Sequence, residues 1–226
     1  MSTEGRDAVL ISGASGYLGS AIVLALQNAG YTHIALRADV TDETAMEKEA
    51  QEMQEKSAKL TGIIHAASPG LVRAPLLSQS KEDFESQFSV NVRGAFNLFK
   101  YFSPFVIEGG ALVGITSLSV DDKKSYAPTG SYIAAKYALR GILRVLSHEL
   151  MKQNIRVYAV APAFMPGGLN EDIPETVRNI ILTKSVPEAT TTPEVVARVV
   201  VTLILNTNSV ASGSSIAVPS QNITPL

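Results

Sequence analysis

The sequence predicts an α/β fold in which a parallel β-sheet lies between two layers of helices. Apolar runs of strand length alternate with segments of helical periodicity along the chain, which is the pattern of repeated βαβ units. The runs at 62–67 and 111–116 are apolar without polar alternation, as expected for strands that helices cover on both faces. A chain of 226 residues, 46% of them hydrophobic, can enclose one core, so we expect a single domain over 1–226.

Local signals support the individual elements. Gly30 follows the first helix where glycine favours helix termination, and Pro193 stands in the first turn of the last helix, after the capping residue Thr191. The segment at about 163–192 is irregular and longer than an ordinary connection, so we interpret it as a substrate lid. The predicted strands are 8–12, 33–36, 62–67, 111–116, 155–161 and 214–218, and the predicted helices are 18–28, 44–59, 81–101, 130–153 and 193–205.

A glycine-rich loop joins the first predicted strand to the first predicted helix. Gly13 would permit a tight turn, Gly16 a close approach of the backbone to a pyrophosphate, and Gly19 close packing of the helix on the strand. The free N–H groups and the positive dipole at the helix N-terminus would bind the phosphates. The alternative is a plain turn of small residues. The loop favours a Rossmann-type, doubly wound parallel sheet, with three α/β/α layers, that binds a dinucleotide.

The end of the second predicted strand bears on the choice between NAD and NADP. An acidic residue there favours the free ribose of NAD, whereas an arginine favours the 2′-phosphate of NADP. The strand ends in Arg37 without an acid, which favours NADP(H) over NAD(H); the alternative is that Arg37 is a solvated loop charge. Asp39 and Asp42 follow at once and leave no room for a further helix and strand. We therefore expect a shortened region after the second strand.

Tyr132 and Lys136 lie four residues apart at the start of the long helix at 130–153, so both side chains project from one helix face. A nearby ammonium stabilises a phenolate and lowers the pKa of the phenol. A phenol tuned in this way can donate and accept a proton near neutral pH. A surface tyrosine and lysine on a solvated helix would give the same spacing, so the pair gains meaning only from the other motifs.

Taken together, these motifs resemble the short-chain dehydrogenase/reductase family over nearly the whole chain. The run from Ser131 to Lys136 is similar to the family's Tyr-x-x-x-Lys active-site motif. The resemblance implies that Tyr132 is the general acid/base and that Lys136 lowers its pKa and holds the nicotinamide ribose. It also implies a serine that orients the substrate oxygen. Ser117 and Ser119 both qualify, and we favour Ser117 because the preceding strand ends there.

The resemblance assigns further residues. Asn91 matches the helix asparagine that holds a water linking the lysine to solvent, whereas His65 is better explained as a satisfied strand-end residue than as a catalyst. The implied cofactor contacts are Gly13, Ser15, Gly16, Tyr17, Leu18 and Gly19 in the glycine loop, Arg37, Asp39 and Val40 after the second strand, Ala66, Ala67 and Ser68 after the third, Tyr132 and Lys136 on the helix, and Pro162, Ala163 and Phe164 near the nicotinamide.

Composition excludes several classes of function. A net charge of -2 leaves no cationic excess for nucleic acid, and the absence of cysteine excludes disulfides, thiolate zinc sites and cysteine nucleophiles. We expect no metal. No apolar stretch approaches twenty residues and the N-terminus does not resemble a signal peptide, so we expect a cytoplasmic protein without a membrane partner.

The motifs predict an oxidoreductase that interconverts a carbonyl and an alcohol of a small molecule by hydride transfer. The alternative is a non-catalytic, NADP(H)-sensing regulatory protein on the same fold. Sugar-nucleotide epimerisation is a third possibility, but the region after Pro162 is too short for the larger substrate domain of such enzymes. The resemblance also implies a homodimer or homotetramer built on the helices that carry Asn91 and Tyr132.

Overall fold

A computed structural model describes residues 8–120, 129–184, 190–205 and 210–219. Within these residues six strands form one parallel sheet: β1 (Ala8–Ser12), β2 (Thr32–Ala35), β3 (Leu60–His65), β4 (Val106–Ile115), β5 (Arg156–Pro162) and β6 (Ser215–Val218). Their order across the sheet is β2-β1-β3-β4-β5-β6, and every neighbouring pair is parallel. The chain reverses its direction of winding between β1 and β3, which makes that position the topological switch point of the sheet.

The described part of the chain contains seven α-helices, five of which pack on the two faces of the sheet. One apolar core includes residues of α1 and α7, and a second core, on the other face, includes residues of α2, α4 and α5. This arrangement confirms the predicted three-layer, doubly wound fold. The helices are α1 (Tyr17–Asn28), α2 (Glu43–Glu55), α3 (Lys81–Phe88), α4 (Ala95–Phe102), α5 (Gly130–Glu149), α6 (Glu175–Lys184) and α7 (Pro193–Leu205).

The region after β2 is shortened as predicted. β2 is an edge strand, and α2 follows it without an intervening helix or strand. Asp42 caps α2 by accepting a hydrogen bond from the backbone N–H of Ala45, at 3.0 Å. The sheet therefore ends beside the cleft with a short loop at 36–42.

Three elements differ from their predicted form. The helix predicted at 81–101 is interrupted by a π-helical turn at Ser89–Gly94, where the buried side chain of Asn91 donates to the backbone carbonyl of Gln87. β4 begins before position 111, with Gly109 at a φ of +79° and a register shift against β3. The segment at 163–192 contains α6, and its residues 185–189 lie outside the described part of the chain.

Candidate active site

A cleft of about 1270 Å³ opens at the carboxyl ends of the strands, beside the switch point between β1 and β3. This is where open α/β sheets bind ligands. Its walls come from the glycine loop, the segments that follow β2, β3, β4 and β5, the first turns of α5, and the lid. The cleft collects all the predicted site residues except Arg37 and Asn91.

The glycine loop forms the floor of one end of the cleft. Gly13 has a φ of +76°, and a Cβ at Gly19 would lie 1.9 Å from the carbonyl oxygen of Gly13, so α1 can start here only with glycine. No side chain caps the helix at Gly16. The N–H groups of the first turn are therefore available to an anion, and the loop fits the phosphates of a dinucleotide.

The segment after β3 lies directly against this loop. A Cβ at Gly13 would stand 2.7 Å from the backbone nitrogen of Ala67, so the absence of a side chain lets the two segments meet. Ala66, Ala67 and Ser68 all line the cleft, as predicted.

Asp39 and Val40 line the far end of the cleft. The carboxylate of Asp39 accepts hydrogen bonds from the backbone N–H and the hydroxyl of Thr41, both at 2.8 Å, and these bonds lower its pKa. Asn97 on α4 donates to the carbonyl of Val40 at 2.9 Å. Sequence reasoning missed Asn97, because a buried asparagine at mid-helix carries no signal of its distant partner.

Arg37 turns away from the cleft. Its guanidinium forms ion pairs with Glu49 and Glu52 on α2, and its side chain is 68% exposed. The buried carboxylate of Glu49 also accepts the backbone N–H groups of Arg37 and Ala38, the latter at 2.8 Å. Both carboxylates hold the pKa of Arg37 above its usual value, with the Glu52 hydrogen bond as the largest cause. A ligand phosphate would have to compete with these two carboxylates.

Tyr132 and Ser117 meet at the centre of the cleft. Burial raises the pKa of Tyr132, and the neighbouring hydroxyl of Ser117 partly offsets this by lowering it. The backbone N–H of Ser119 donates to the Ser117 hydroxyl at 3.2 Å. Ser119 also lines the cleft, but Ser117 is the serine that lowers the pKa of Tyr132, which favours Ser117 as the residue beside the reacting oxygen.

Lys136 is 3% exposed and lies beneath Tyr132, with Nζ 5.6 Å from the centre of the phenol ring. Its ammonium donates to the backbone carbonyl of Ile115, at 2.8 Å. Burial lowers the pKa of Lys136 to about 7. Its protonation state is therefore balanced near neutral pH, which suits a group that passes on a proton.

Asn91 and His65 are fully buried polar residues that do not border the cleft directly. Among the described residues, the Asn91 side-chain oxygen and the His65 Nε2 have no hydrogen-bond partner, whereas the His65 Nδ1 lies 2.9 Å from the hydroxyl of Ser12. Burial and, to a smaller extent, the charge of Lys136 lower the pKa of His65 to about 3, so the imidazole is neutral. Orphaned buried polar atoms of this kind are commonly satisfied by an internal water.

The remaining walls come from the end of β5 and the lid. Pro162, Ala163 and Phe164 line the cleft as predicted, and Phe164 forms an isolated parallel bridge with Thr190. Arg73 also lines the cleft and binds the lid. It was missed by sequence reasoning, because its partner Asp172 is far away along the chain.

The described residues contain no group of three or more histidines and acids that could hold a metal ion. No helix among them is both long enough and apolar enough to cross a membrane.

Comparisons with known proteins agree with this fold. A family model described as enoyl-(acyl carrier protein) reductase matches residues 4–220. The 3-oxoacyl-[acyl-carrier-protein] reductase of Thermotoga maritima is 29% identical over 185 residues, which cover 80% of this chain and 73% of that protein. The short-chain dehydrogenase reductase 5 of Arabidopsis thaliana is 32% identical over 145 residues, which cover 64% of this chain and 56% of that protein.

The chain spans a smaller share of some other curated relatives, down to 47% of their length. Among solved structures, a blue fluorescent protein from a metagenomic library, in complex with NADPH, superposes with a TM-score of 0.81 at 20% identity. The superposition covers 97% of this chain and 98% of the other, so the two proteins share the same fold.

Proposed function

The chain belongs to the short-chain dehydrogenase/reductase family of NAD(P)-dependent oxidoreductases, and from this we propose that it interconverts a carbonyl and an alcohol, with Tyr132 as general acid/base. The observation that carries the proposal is that Ser117 and Tyr132 line the same cleft, with the buried ammonium of Lys136 5.6 Å from the centre of the phenol ring. A proton donor, an orienting hydroxyl and a cation together are what carbonyl reduction requires.

Each of the three side chains has a separate task in this scheme. A nicotinamide bound in the cleft would supply the hydride during reduction and accept it during oxidation. Tyr132 donates its phenolic proton to the carbonyl oxygen as negative charge develops there, while the Ser117 hydroxyl orients that oxygen. Lys136 stabilises the resulting phenolate, and its pKa of about 7 allows Nζ to return a proton near neutral pH.

We propose that Asn91 supports this proton transfer by holding a water molecule near Lys136. Its side-chain oxygen is buried and has no partner among the described residues, so it can accept a hydrogen bond from a water close to Lys136. The π-helical turn at Ser89–Gly94 carries Asn91 on the element that packs against α5. The turn therefore fixes its side chain relative to Lys136.

We propose that the cofactor contacts the residues that line the cleft. The first turn of α1 would hold the pyrophosphate, Asp39 and Val40 would border the adenine, and the segment at 162–164 would border the nicotinamide. Ala66, Ala67 and Ser68 would lie beside the adenine ribose. All of these residues line the same cleft.

NADP(H) is the cofactor that we favour, through Arg37. The arginine is exposed and its ion pairs are therefore weak, so a 2′-phosphate can replace Glu52 as its partner at small cost. The buried carboxylate of Glu49 would remain near Arg37 and limit the gain in affinity for the 2′-phosphate. We accordingly expect a modest preference for NADPH over NADH.

The lining of the lid supports an apolar or acyl-type carbonyl substrate. Leu169, Ile173 and Val177 face the cleft from the lid, and Leu71 and Leu118 face it from the framework. Some relatives are named for 3-oxoacyl reduction, which makes a 3-oxoacyl thioester the first substrate to try.

A homodimer or homotetramer is also proposed. Phe84, Phe96 and Tyr137 are large apolar side chains on α3, α4 and α5, and they are 41%, 52% and 41% exposed. Apolar surface of this kind on adjacent helices favours pairing with a second copy. Light scattering of the purified protein tests this proposal, and a monomer at micromolar concentration would contradict it.

The experiment that tests the function titrates the protein with NADPH and NADH and then screens carbonyl compounds for loss of absorbance of the reduced nicotinamide. The panel should include acetoacetyl-coenzyme A together with aliphatic and aromatic ketones and aldehydes. We expect turnover of at least one class. Tight cofactor binding without turnover on a broad panel would favour the sensing alternative instead.

A further inference from the structure

One arginine fastens the lid to the framework of the cleft. The guanidinium of Arg73 forms a bidentate ion pair with Asp172, from Nε to one carboxylate oxygen at 2.8 Å and from Nη2 to the other at 2.9 Å. Nη2 also donates to the backbone carbonyl of Leu169 and the side-chain oxygen of Asn170, both at 3.0 Å. We name this set of contacts the Arg73 clasp. It contacts three positions within four residues of the lid.

The framework side of the clasp is itself held firmly. Gln79 donates to the carbonyl of Ala74 at 3.0 Å, and the fully buried Gln87 donates to the carbonyl of Gly70 at 2.7 Å. Ala74 forms a parallel bridge with Thr129, three residues before Tyr132. The backbone beside Arg73 is therefore tied to the start of the helix that carries the acid/base.

The lid segment contacts Arg73 on one side and the glycine loop on the other. Asn170 donates to the carbonyl of Met165 at 2.9 Å and closes the turn that presents Leu169 to Arg73. At the opposite edge, a Cβ at either Gly167 or Gly168 would stand 2.7 Å from Tyr17 of the glycine loop. The segment 167–172 thus spans the cleft, with the aromatic ring of Tyr17 at one end and the clasp at the other.

The clasp has the strength and the position to matter for substrate binding. The Arg73 side chain is 27% exposed and the Asp172 side chain 58%, so the strength of the clasp comes from its bidentate geometry and from the two further acceptors on Leu169 and Asn170. The segment that it holds contributes Leu169 and leads into Ile173, and both line the cleft. Loss of the clasp would leave this wall held by the contact with Tyr17 and by Arg178 of α6, which donates to the backbone carbonyls of Glu171 and Ile173 at 3.1 Å.

We propose that Arg73 is a positioning residue that holds residues 167–172 of the lid in place over the cleft, and that it sets the KM for the carbonyl substrate without taking part in proton or hydride transfer. The inference rests on the proposed reductase function for its kinetic consequence, but the closure of the lid can be measured without turnover. Cofactor affinity should change little, because the residues proposed to bind the adenosine and the pyrophosphate lie at the other end of the cleft.

The test compares Arg73→Met, which keeps the aliphatic stem, with Arg73→Lys, which keeps the charge but cannot form a bidentate pair. Asp172→Asn and the double variant with Arg73→Met complete a cycle. Lys81→Met is the matched control, because Lys81 forms an exposed ion pair with Glu85 on α3, and neither residue lines the cleft. Hydrogen exchange of the amides at 167–173 is measured with NADPH bound, and steady-state kinetics are then measured with the best carbonyl of the panel.

We expect Arg73→Met to speed exchange at 167–173 and to raise the substrate KM, each about tenfold, with kcat within about threefold and the NADPH Kd within about twofold. The exchange rate and the KM of Arg73→Lys should lie between those of Arg73→Met and wild type. The double variant should show no faster exchange and no higher KM than Arg73→Met alone. The control should match wild type in both measurements.

Two results would overturn the inference. Unchanged exchange at 167–173 in Arg73→Met would show that the clasp does not hold the lid, whatever the activity of the protein. Faster exchange with an unchanged KM would show that the clasp is structural only. Failure of the proposed function would look different, because wild-type protein would then turn over no carbonyl compound while its exchange rates still reported on the clasp.

Discussion

Lys136 donates a hydrogen bond from Nζ to the backbone carbonyl of Ile115, 2.8 Å away, and this single bond anchors an ammonium in the interior of the protein. Ile115 is the last residue of β4, so the cation is fixed at the strand end from which Ser117 also projects toward the cleft. Burial makes the charged form of Lys136 costly, which lowers its pKa to about 7. The burial that lowers the pKa of Lys136 therefore also lowers the stability of the folded protein when the lysine is charged.

Replacing Lys136 with methionine should stabilise the protein at low pH. The folded pKa of Lys136 is about 7 against a usual value of 10.5, so the unfolded chain binds more protons between these values and wild-type stability rises with pH across that window. We expect Lys136→Met to raise the free energy of unfolding by about 1–3 kcal/mol at pH 6, after the loss of the bond to Ile115 is included. Urea unfolding at pH 6 and pH 10 measures this.

The gain should shrink toward zero or reverse at pH 10, because Lys136 is then uncharged in the folded protein. Lys152→Met, at an exposed position, is the control and should leave stability nearly unchanged at both values. An equal gain for Lys136→Met at pH 6 and pH 10 would show that the charge of the lysine is not the cause.

His65 should make the protein sensitive to acid. Its folded pKa of about 3 lies below the usual 6.5, so the unfolded chain binds the extra proton between these values and stability is lost as the pH falls through this range. We expect the group to account for roughly 2–3 kcal/mol of the loss between pH 6.5 and pH 4.

In His65→Gln that part of the pH dependence should disappear, although the variant is less stable at pH 7 because the bond to Ser12 is altered. His148→Gln, at an exposed position on α5, should keep the wild-type slope. Denaturant unfolding between pH 4 and pH 7 compares the three proteins. The same slope in all of them would mean that protonation of His65 does not limit stability in acid.

The balance between Arg37 and its carboxylate partners should control cofactor preference. We expect Arg37→Ala to weaken NADPH about fivefold to tenfold more than NADH, and Glu52→Gln to tighten NADPH about twofold to fivefold, because the arginine is then freer to bind a phosphate. Glu55→Gln, on the same helix but without a bond to Arg37, is the control. Fluorescence titration with both cofactors measures the affinities, and equal losses for both in Arg37→Ala would make Arg37 a bystander.

Two glycine-to-alanine substitutions should have opposite effects. A Cβ at Gly19 would stand 1.9 Å from the backbone oxygen of Gly13, whereas a Cβ at Gly141 on α5 has no heavy atom within 4 Å. We expect Gly19→Ala to destabilise by about 3 kcal/mol or more and to abolish cofactor binding. Gly141→Ala should stabilise by about 0.5–1 kcal/mol through helix propensity, with unchanged binding. Thermal unfolding checks both, and a Gly19→Ala protein with wild-type stability would contradict the described packing of the loop.

Local sequence patterns were enough to predict the sheet, the glycine loop and the pair Tyr132 and Lys136. Each depends on spacing within one element or on the turn from a strand to a helix. Periodicity and the need for glycine at such turns can both be recognised in the sequence. The shortened region after β2 could be predicted for the same reason, since Asp39 follows Arg37 too closely for another helix.

Contacts between segments that are distant in the sequence could not be predicted from local patterns. The Arg37 side chain is directed by Glu49 and Glu52 on the following helix, and Arg73 is directed by Asp172 on the lid, so neither orientation follows from neighbouring residues. The π-helical turn around Asn91 was likewise unforeseen, because it depends on how its buried side chain bonds to the preceding turn. Side-chain partners across the fold are set by packing, which single-sequence patterns do not encode.

The most direct measurement of the central claim is the turnover number of Tyr132→Phe, which removes one hydroxyl from the cleft and keeps the ring. With saturating NADPH and the best carbonyl of the panel, we predict a fall in kcat of about 10²–10⁴-fold, with an NADPH Kd within about twofold of wild type. Wild-type turnover in Tyr132→Phe would contradict the assignment of Tyr132 as the group that moves the proton.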